Sequence, residues 1–163
     1  MKPIGGRLLP ANSRNSGQAV RLSVETNKLF VYGTLLLDDV ISAVIGRMPR
    51  YENAVAPGWQ VVCLPERVYP GLIPGQGEAV GKVFTDLTDT EWATLDAFED
   101  PAYTLASVRV LLSTEIEMDA LSYIWRGDHI DQPWSATDFG RNELANYLNR
   151  CRNWRQRYGQ RSS

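Results

Sequence analysis

Between Lys28 and Asp39 the chain reads KLFVYGTLLLDD, and this segment limits the possible folds more tightly than any other. Leu29 to Tyr32 is an apolar run of strand length, Gly33-Thr34 interrupts it, and the apolar residues that follow end in two aspartates. A buried strand gains nothing from a glycine at its centre, because glycine loses the most backbone freedom on ordering and packs no side chain. The break therefore predicts a strand over 28–32, a turn, and a short helix from about Asp38 to Ile45. Without a Cβ, Gly33 lets the backbone turn and be approached closely. Either the strand simply ends there, or the N–H groups of the strand–loop–helix turn form a nest for a carboxylate or phosphate.

The rest of the chain reads as one domain, since 163 residues suit a single buried core. Strand-like runs fall at 54–56, 59–64, 79–84, 105–112 and 119–125. ERVYPGLIPGQGEA, residues 66–79, is loaded with Gly and Pro and is expected to be a shaped loop. Thr88-x-x-Glu91 is a capping box ahead of Trp92, Leu95 and Phe98, which share one helical stripe. Ser135-x-x-Asp138 opens a longer helix in which Leu144, Tyr147, Leu148, Cys151 and Trp154 recur at packing intervals. Consecutive strands flanked by helices indicate an α+β domain, and glycines such as Gly81 would let its sheet curl toward a barrel. Residues 1–27 lack periodicity and are expected to be a flexible leader. The domain is expected over 28–158, with a flexible tail at 159–163.

Composition excludes several chemistries. Cys63 and Cys151 are two lone cysteines, which make neither a disulfide framework nor a zinc site, and His129 is the only histidine. Carboxylates, hydroxyls and backbone amides are left to act, with no metal or cofactor expected. His129 lies in the polar stretch WRGDHIDQPW and reads as a surface residue. Residues 25–149 hold eight basic residues against all 19 acidic ones, a poor surface for nucleic acid. No apolar run approaches the roughly 20 residues that cross a bilayer, so no membrane partner is expected and the cytoplasm is the default location. The five arginines between 150 and 161 read as the solvated face of the last helix or as a site for an anionic partner.

Glu99 stands apart among the carboxylates. It follows Leu95 by four residues and Trp92 by seven, so it projects from the edge of the apolar stripe. Asp100-Pro101 should end the helix there, leaving Glu99 in its last turn at the negative end of the dipole. Apolar neighbours, that dipole and Asp96 all favour the neutral acid. A carboxyl group tuned in this way can act as general base and then general acid near neutrality.

Together FVYGTL and LDAFEDPAY resemble the gamma-glutamylcyclotransferase-like superfamily, in particular its AIG2-like branch. Tyr69-Pro70-Gly71-Leu72, the strand Val80-Gly81-x-Val83-Phe84 and Tyr123-x-Trp125 fit the same pattern in the same order. The resemblance implies a compact, barrel-like sheet flanked by helices, with a cavity beside the Tyr-Gly-Thr-Leu loop. It also implies a small-molecule γ-glutamyl substrate. The matching positions for holding its α-carboxylate are Tyr32, Gly33, Thr34 and Leu35, and Glu99 matches the acid that handles protons. The substrate's own α-amine would attack its γ-carbonyl, releasing 5-oxoproline and a free amine. Tyr103 is expected to orient that carboxylate or to line the pocket. Where relatives commonly carry Tyr-x-Arg after the helix, this chain has Tyr103-Thr104-Leu105. That departure motivates an alternative reading, a binding module that keeps the cavity without the chemistry.

Overall fold

The computed structural model describes residues 27–162, so the expected leader lies outside the described residues except for its last position. The chain forms β1 (Leu29–Val31), a single 3₁₀ turn (Thr34–Leu36), α1 (Asp38–Ile45), β2 (Tyr51–Val62) and β3 (Gly71–Phe84). There follow α2 (Asp89–Phe98), β4 (Tyr103–Leu112), β5 (Glu117–Trp125), α3 (Ala136–Asn142) and α4 (Leu144–Ser162). The strands close a barrel in the order β1-β3-β2-β4-β5, every pairing antiparallel except the parallel closure of β1 on β5 at Leu29 and Leu121. This is the expected α+β architecture, a barrel-like sheet flanked by helices.

The short strand β1 explains its own composition. Phe30 and Tyr32 point into the barrel beside Leu72, Val83 and Ile124, whereas Leu29 and Val31 point outward to Val40, Ile41, Trp92 and Leu95 on the helices. Side chains alternate across a strand, so one covered on both faces must be apolar at every position. Closure depends on Gly81 of β3, where a Cβ would stand 2.0 Å from the Val31 carbonyl oxygen. Only a glycine lets β1 lie that close.

Two expectations are corrected in the long β2–β3 hairpin. The separate runs at 54–56 and 59–64 are one strand ending at Val62, irregular at Gly58, whose φ is +85° and where the register shifts between Pro57 and Trp59. The expected loop at 66–79 is a loop only up to Pro70. From Gly71 onward it is the first half of β3, paired from Gly71 with Val62 to Pro74 with Trp59. Pairing with a full-length neighbour outweighs the weak strand preference of Gly and Pro, which gather around the irregularity.

The helix starts match their signals. Thr88 Oγ1 accepts from the Glu91 amide while the Glu91 carboxylate accepts from the Thr88 amide, and Ser135 caps α3 through Asp138 N–H. The single long helix expected from Ser135 is instead α3 and α4, broken at Glu143. The rings of Phe139 and Tyr147 meet edge to face at 5.3 Å. Eight residues of continuous helix would set them about 12 Å apart along the axis, so the break brings both into one core. Up to Ser162 the expected tail at 159–163 continues α4. That helix docks on α1, where the Arg155 guanidinium donates to the Val44 carbonyl oxygen, and on α2, where Trp154 meets Phe98 at 5.1 Å.

Candidate active site

The turn after β1 is held from behind. Pro70 is the group that approaches Gly33, since a Cβ on Gly33 would lie 2.6 Å from Pro70 Cγ. Leu36 N–H donates to the Gly33 carbonyl and Leu37 N–H to that of Thr34. The Gly33, Thr34 and Leu35 amides begin this turn and have no acceptor within it. Lys82 fixes the far end, its ammonium donating to the Leu36 carbonyl at 3.1 Å and pairing with Asp38 at 3.5 Å. Tyr32 is anchored inside the barrel, its hydroxyl donating to the Tyr123 carbonyl at 2.7 Å.

Glu99 is one residue past α2 rather than in its last turn. Its N–H still donates to the Leu95 carbonyl, but φ −71° and ψ 149° turn the chain into the extended form that a following Asp-Pro favours. A cavity of about 620 Å³ opens in front of it. The same cavity is bounded by Tyr32, Gly33, Thr34, Leu35 and Tyr103, so the turn and the acid border one partly open space. No hydrogen bond or ion pair from the described residues reaches the Glu99 carboxylate. Burial, then the negative charge of Asp96, then that of Asp100, push its pKa up to about 8.

The tyrosines, Cys151 and Asp100 on the cavity wall have shifts that keep each in one protonation state near neutral pH. Burial raises the hydroxyls of Tyr32, Tyr103 and Tyr147 above the usual tyrosine range, and lifts the Cys151 thiol to about 11. Asp100 is partly desolvated, yet the Tyr69 hydroxyl, the Ala102 amide and Arg67 together hold it below the usual carboxylate range. Among these groups Glu99 is the one poised to exchange a proton near neutral pH.

Tyr103 lines the cavity, but its hydroxyl donates to the Pro70 carbonyl at 2.5 Å, and no hydrogen bond joins it to Glu99. Of its two expected roles, orienting the acid by a direct bond is absent from the structure. The phenol instead ties Pro70, and through it Gly33, to the head of β4. Tyr123 meets Asp96 at 2.6 Å, close to where α2 ends.

Sequence reasoning missed the fourth wall. Tyr147, Arg150, Cys151, Asn153, Trp154 and Arg157 of α4 border the cavity. Spacings of three, four and seven residues put them on one helical face, a signal read as packing for the apolar positions and as solvated charge or an anionic-partner site for the arginines, not as a cavity wall. His129 is exposed and does not line the cavity. Among the described residues no group of His, Cys, Asp and Glu side chains could hold a metal ion, and no helix is long and apolar enough to cross a membrane.

Comparison with known proteins agrees with this architecture. Residues 29–143 match the family model described as gamma-glutamyl cyclotransferase, AIG2-like. AIG2-like protein D of Arabidopsis thaliana is 37% identical over 106 residues, which cover 63% of this chain and 70% of that protein. A solution structure of an Arabidopsis thaliana protein superposes with a TM-score of 0.59 at 29% identity, over 75% of this chain and 85% of the other. A structure described as a gamma-glutamyl cyclotransferase matches with a TM-score of 0.57 at 16% identity, over 76% and 85% of the two chains, a likeness of fold alone. By this match the chain belongs to the AIG2-like gamma-glutamyl cyclotransferase family.

Proposed function

We propose that the cavity cleaves γ-glutamyl compounds by intramolecular cyclisation, with Glu99 as general base and then general acid. The carrying observation is a carboxyl group with no hydrogen-bond or ion-pair partner among the described residues, poised at about 8, in the same cavity as the first amides of the Gly33–Leu36 turn. In this reading those amides hold the α-carboxylate of the glutamyl group, as the family resemblance implies for Tyr32 to Leu35. Ionised Glu99 takes a proton from the substrate's α-ammonium, and the freed nitrogen attacks the γ-carbonyl carbon. As the tetrahedral intermediate collapses, Glu99 gives that proton to the departing nitrogen, and the ring nitrogen sheds its remaining extra proton to solvent. A C–N bond forms within the new five-membered lactam, another C–N bond breaks, and 5-oxoproline and a free amine leave. Substrate supplies the nucleophile, and folding the glutamyl arm into attack geometry can lower the barrier by several kcal/mol.

The test is release of 5-oxoproline by purified protein from a panel of γ-glutamyl amino acids and amines. Turnover by wild type and its loss in Glu99→Gln is the expected outcome. Equal turnover by both proteins would remove Glu99 from the mechanism.

A second reading, a binding module for the same ligands, is favoured by Leu105. Where relatives commonly place an arginine, this leucine is buried in the core, 6% exposed, and offers no charge to the cavity. Thermal stabilisation by a γ-glutamyl compound without 5-oxoproline release would select it. A ligand at a hundred times its Kd adds about 2.7 kcal/mol.

A further inference from the structure

The family match ends at residue 143, yet the next helix supplies a wall of the cavity. Arg150 and Arg157 of α4 both line that wall, two helical turns apart. Four arginines of the barrel and its neighbouring loops have carboxylates: Arg47 pairs with Asp86 and Glu91, Arg50 with Asp86, Arg67 with Asp100, and Arg109 with Glu117 and Asp119. No carboxylate among the described residues pairs with Arg150 or Arg157. Arg150 is also placed by contact. The Arg150 guanidinium stands 5.3 Å over the Tyr147 ring, and the Tyr147 hydroxyl lies 3.5 Å from Thr34 Oγ1. One aromatic ring therefore separates this cation from the Gly33–Leu36 turn.

Exposure shows which side of the cavity is its mouth. Tyr32, Thr34 and Leu35 are buried, whereas Arg150, Asn153 and Arg157 are exposed. If the glutamyl end occupies the buried side, the amine-derived part must extend toward the arginines. A neutral alkyl chain would leave both cations unanswered there. A carboxylate would meet one guanidinium in a charge-assisted, two-point contact, in a partly enclosed site where solvent screens less than at an open surface.

Resting on the cyclotransferase reading above, we propose that Arg150, with Arg157 further out, makes this cavity select γ-glutamyl amino acids over γ-glutamyl alkylamines. The departing amine is then an amino acid whose own carboxylate is held at the mouth. Arg150 is a specificity-determining residue and takes no part in proton transfer.

Two compounds that differ only by that carboxylate, γ-glutamylalanine and γ-glutamylethylamine, test the idea. Wild type should turn over the first with at least about tenfold higher kcat/KM, the difference lying in KM. Arg150→Gln should cut that ratio about tenfold, Arg157→Gln by less, and Arg150→Lys should restore part of it. Arg152→Gln, an exposed charge on the same helix outside the cavity wall, should leave the ratio within a factor of two. Equal kcat/KM for the two compounds in wild type, or a ratio unmoved in Arg150→Gln, overturns the proposal. If neither compound is turned over, calorimetric titration of both decides. Tighter binding of γ-glutamylalanine that Arg150→Gln abolishes would keep this selection while removing the catalytic reading. Equal affinity, or no binding of either, would overturn the selection as well.

Discussion

The two ends of α2 treat a glutamate in opposite ways. At the N-terminal end Glu91 accepts from the Arg47 guanidinium at 2.5 and 2.7 Å and from the Thr88 amide at 3.0 Å. The hydrogen bonds from Arg47 come first among the causes that hold its pKa below the ordinary value. At the C-terminal end Glu99 has no such partner among the described residues, has two aspartates nearby, and is held up to about 8. One end uses its carboxylate to fix α2 to the segment after α1, while the other keeps a carboxylate uncompensated beside an empty volume. A fold that needed only stability would treat both ends like the first. On the proposed mechanism, the second end is where stability yields to chemistry.

The largest effect should come from breaking the C-terminal end. Glu99→Gln keeps the shape and removes the proton carrier, so 5-oxoproline release should fall about 10²- to 10⁴-fold. Glu91→Gln should leave the rate constant of the chemical step where it is. In wild type, kcat/KM should rise with pH and level off above about 8, because the base must be ionised and the folded protein holds it protonated below that value. A flat profile between pH 6 and 8 would contradict the assignment.

The two ends should also differ in how pH acts on stability. Glu99 has its folded pKa raised, so its contribution is fully present below about 4.5 and is lost as pH climbs toward 8. Glu91 has its folded pKa lowered, so its contribution is present at neutral pH and lost as the solution turns acid. Glu99→Gln, with a neutral side chain, should therefore be more stable than wild type at pH 8 to 9, by on the order of 2 to 4 kcal/mol once solvent in the cavity is allowed for. Urea titration at pH 5 and at pH 8.5 measures the difference. A Gln variant no more stable than wild type at the higher pH would mean that solvent already satisfies Glu99.

Arg47→Gln turns the comparison around by damaging the structural end. It removes the bonds to Glu91, the contact with Asp86 at 3.2 Å and the bond to the Asp86 carbonyl at 2.8 Å. A loss of about 1 to 3 kcal/mol is expected, or roughly 2 to 4 °C in Tm per kcal/mol. Turnover per folded molecule should be unchanged. If activity fell with it, the two ends would not be independent.

How much of this was legible beforehand differs between the two ends as well. The capping box announced the start of α2, because its signal is local: four consecutive residues and their own backbone. Glu99 was legible as a tuned acid from its place on the apolar stripe and the Asp-Pro that follows. Its neighbours across the cavity were not, since Tyr103 meets Pro70, and Arg150 meets the Tyr147 ring, through tertiary packing rather than sequence spacing. The first half of β3 was hidden for the same reason. Gly71 to Glu78 carries little strand preference of its own and takes its conformation from pairing with β2. Arg47 gave no sign of its partners, which are 39 and 44 residues away.

The smallest predicted effect is also the most specific to the proposed tuning. Asp96 is the largest source of charge acting on Glu99, second only to burial. Asp96→Asn removes that charge but keeps a side-chain oxygen to accept from the Tyr123 hydroxyl, which meets Asp96 at 2.6 Å. With less negative potential beside it, Glu99 ionises more readily, so its folded pKa drops. The rising limb of kcat/KM should then move to lower pH, making the variant several-fold closer to its own plateau at pH 6 than wild type is, while the plateau itself changes little. A plateau that collapsed with an unmoved limb would mean that Asp96 supports the site's geometry through Tyr123. A limb that moved upward would mean that the charge felt by Glu99 is set elsewhere, and the contrast between the two ends of α2 would then rest on burial alone.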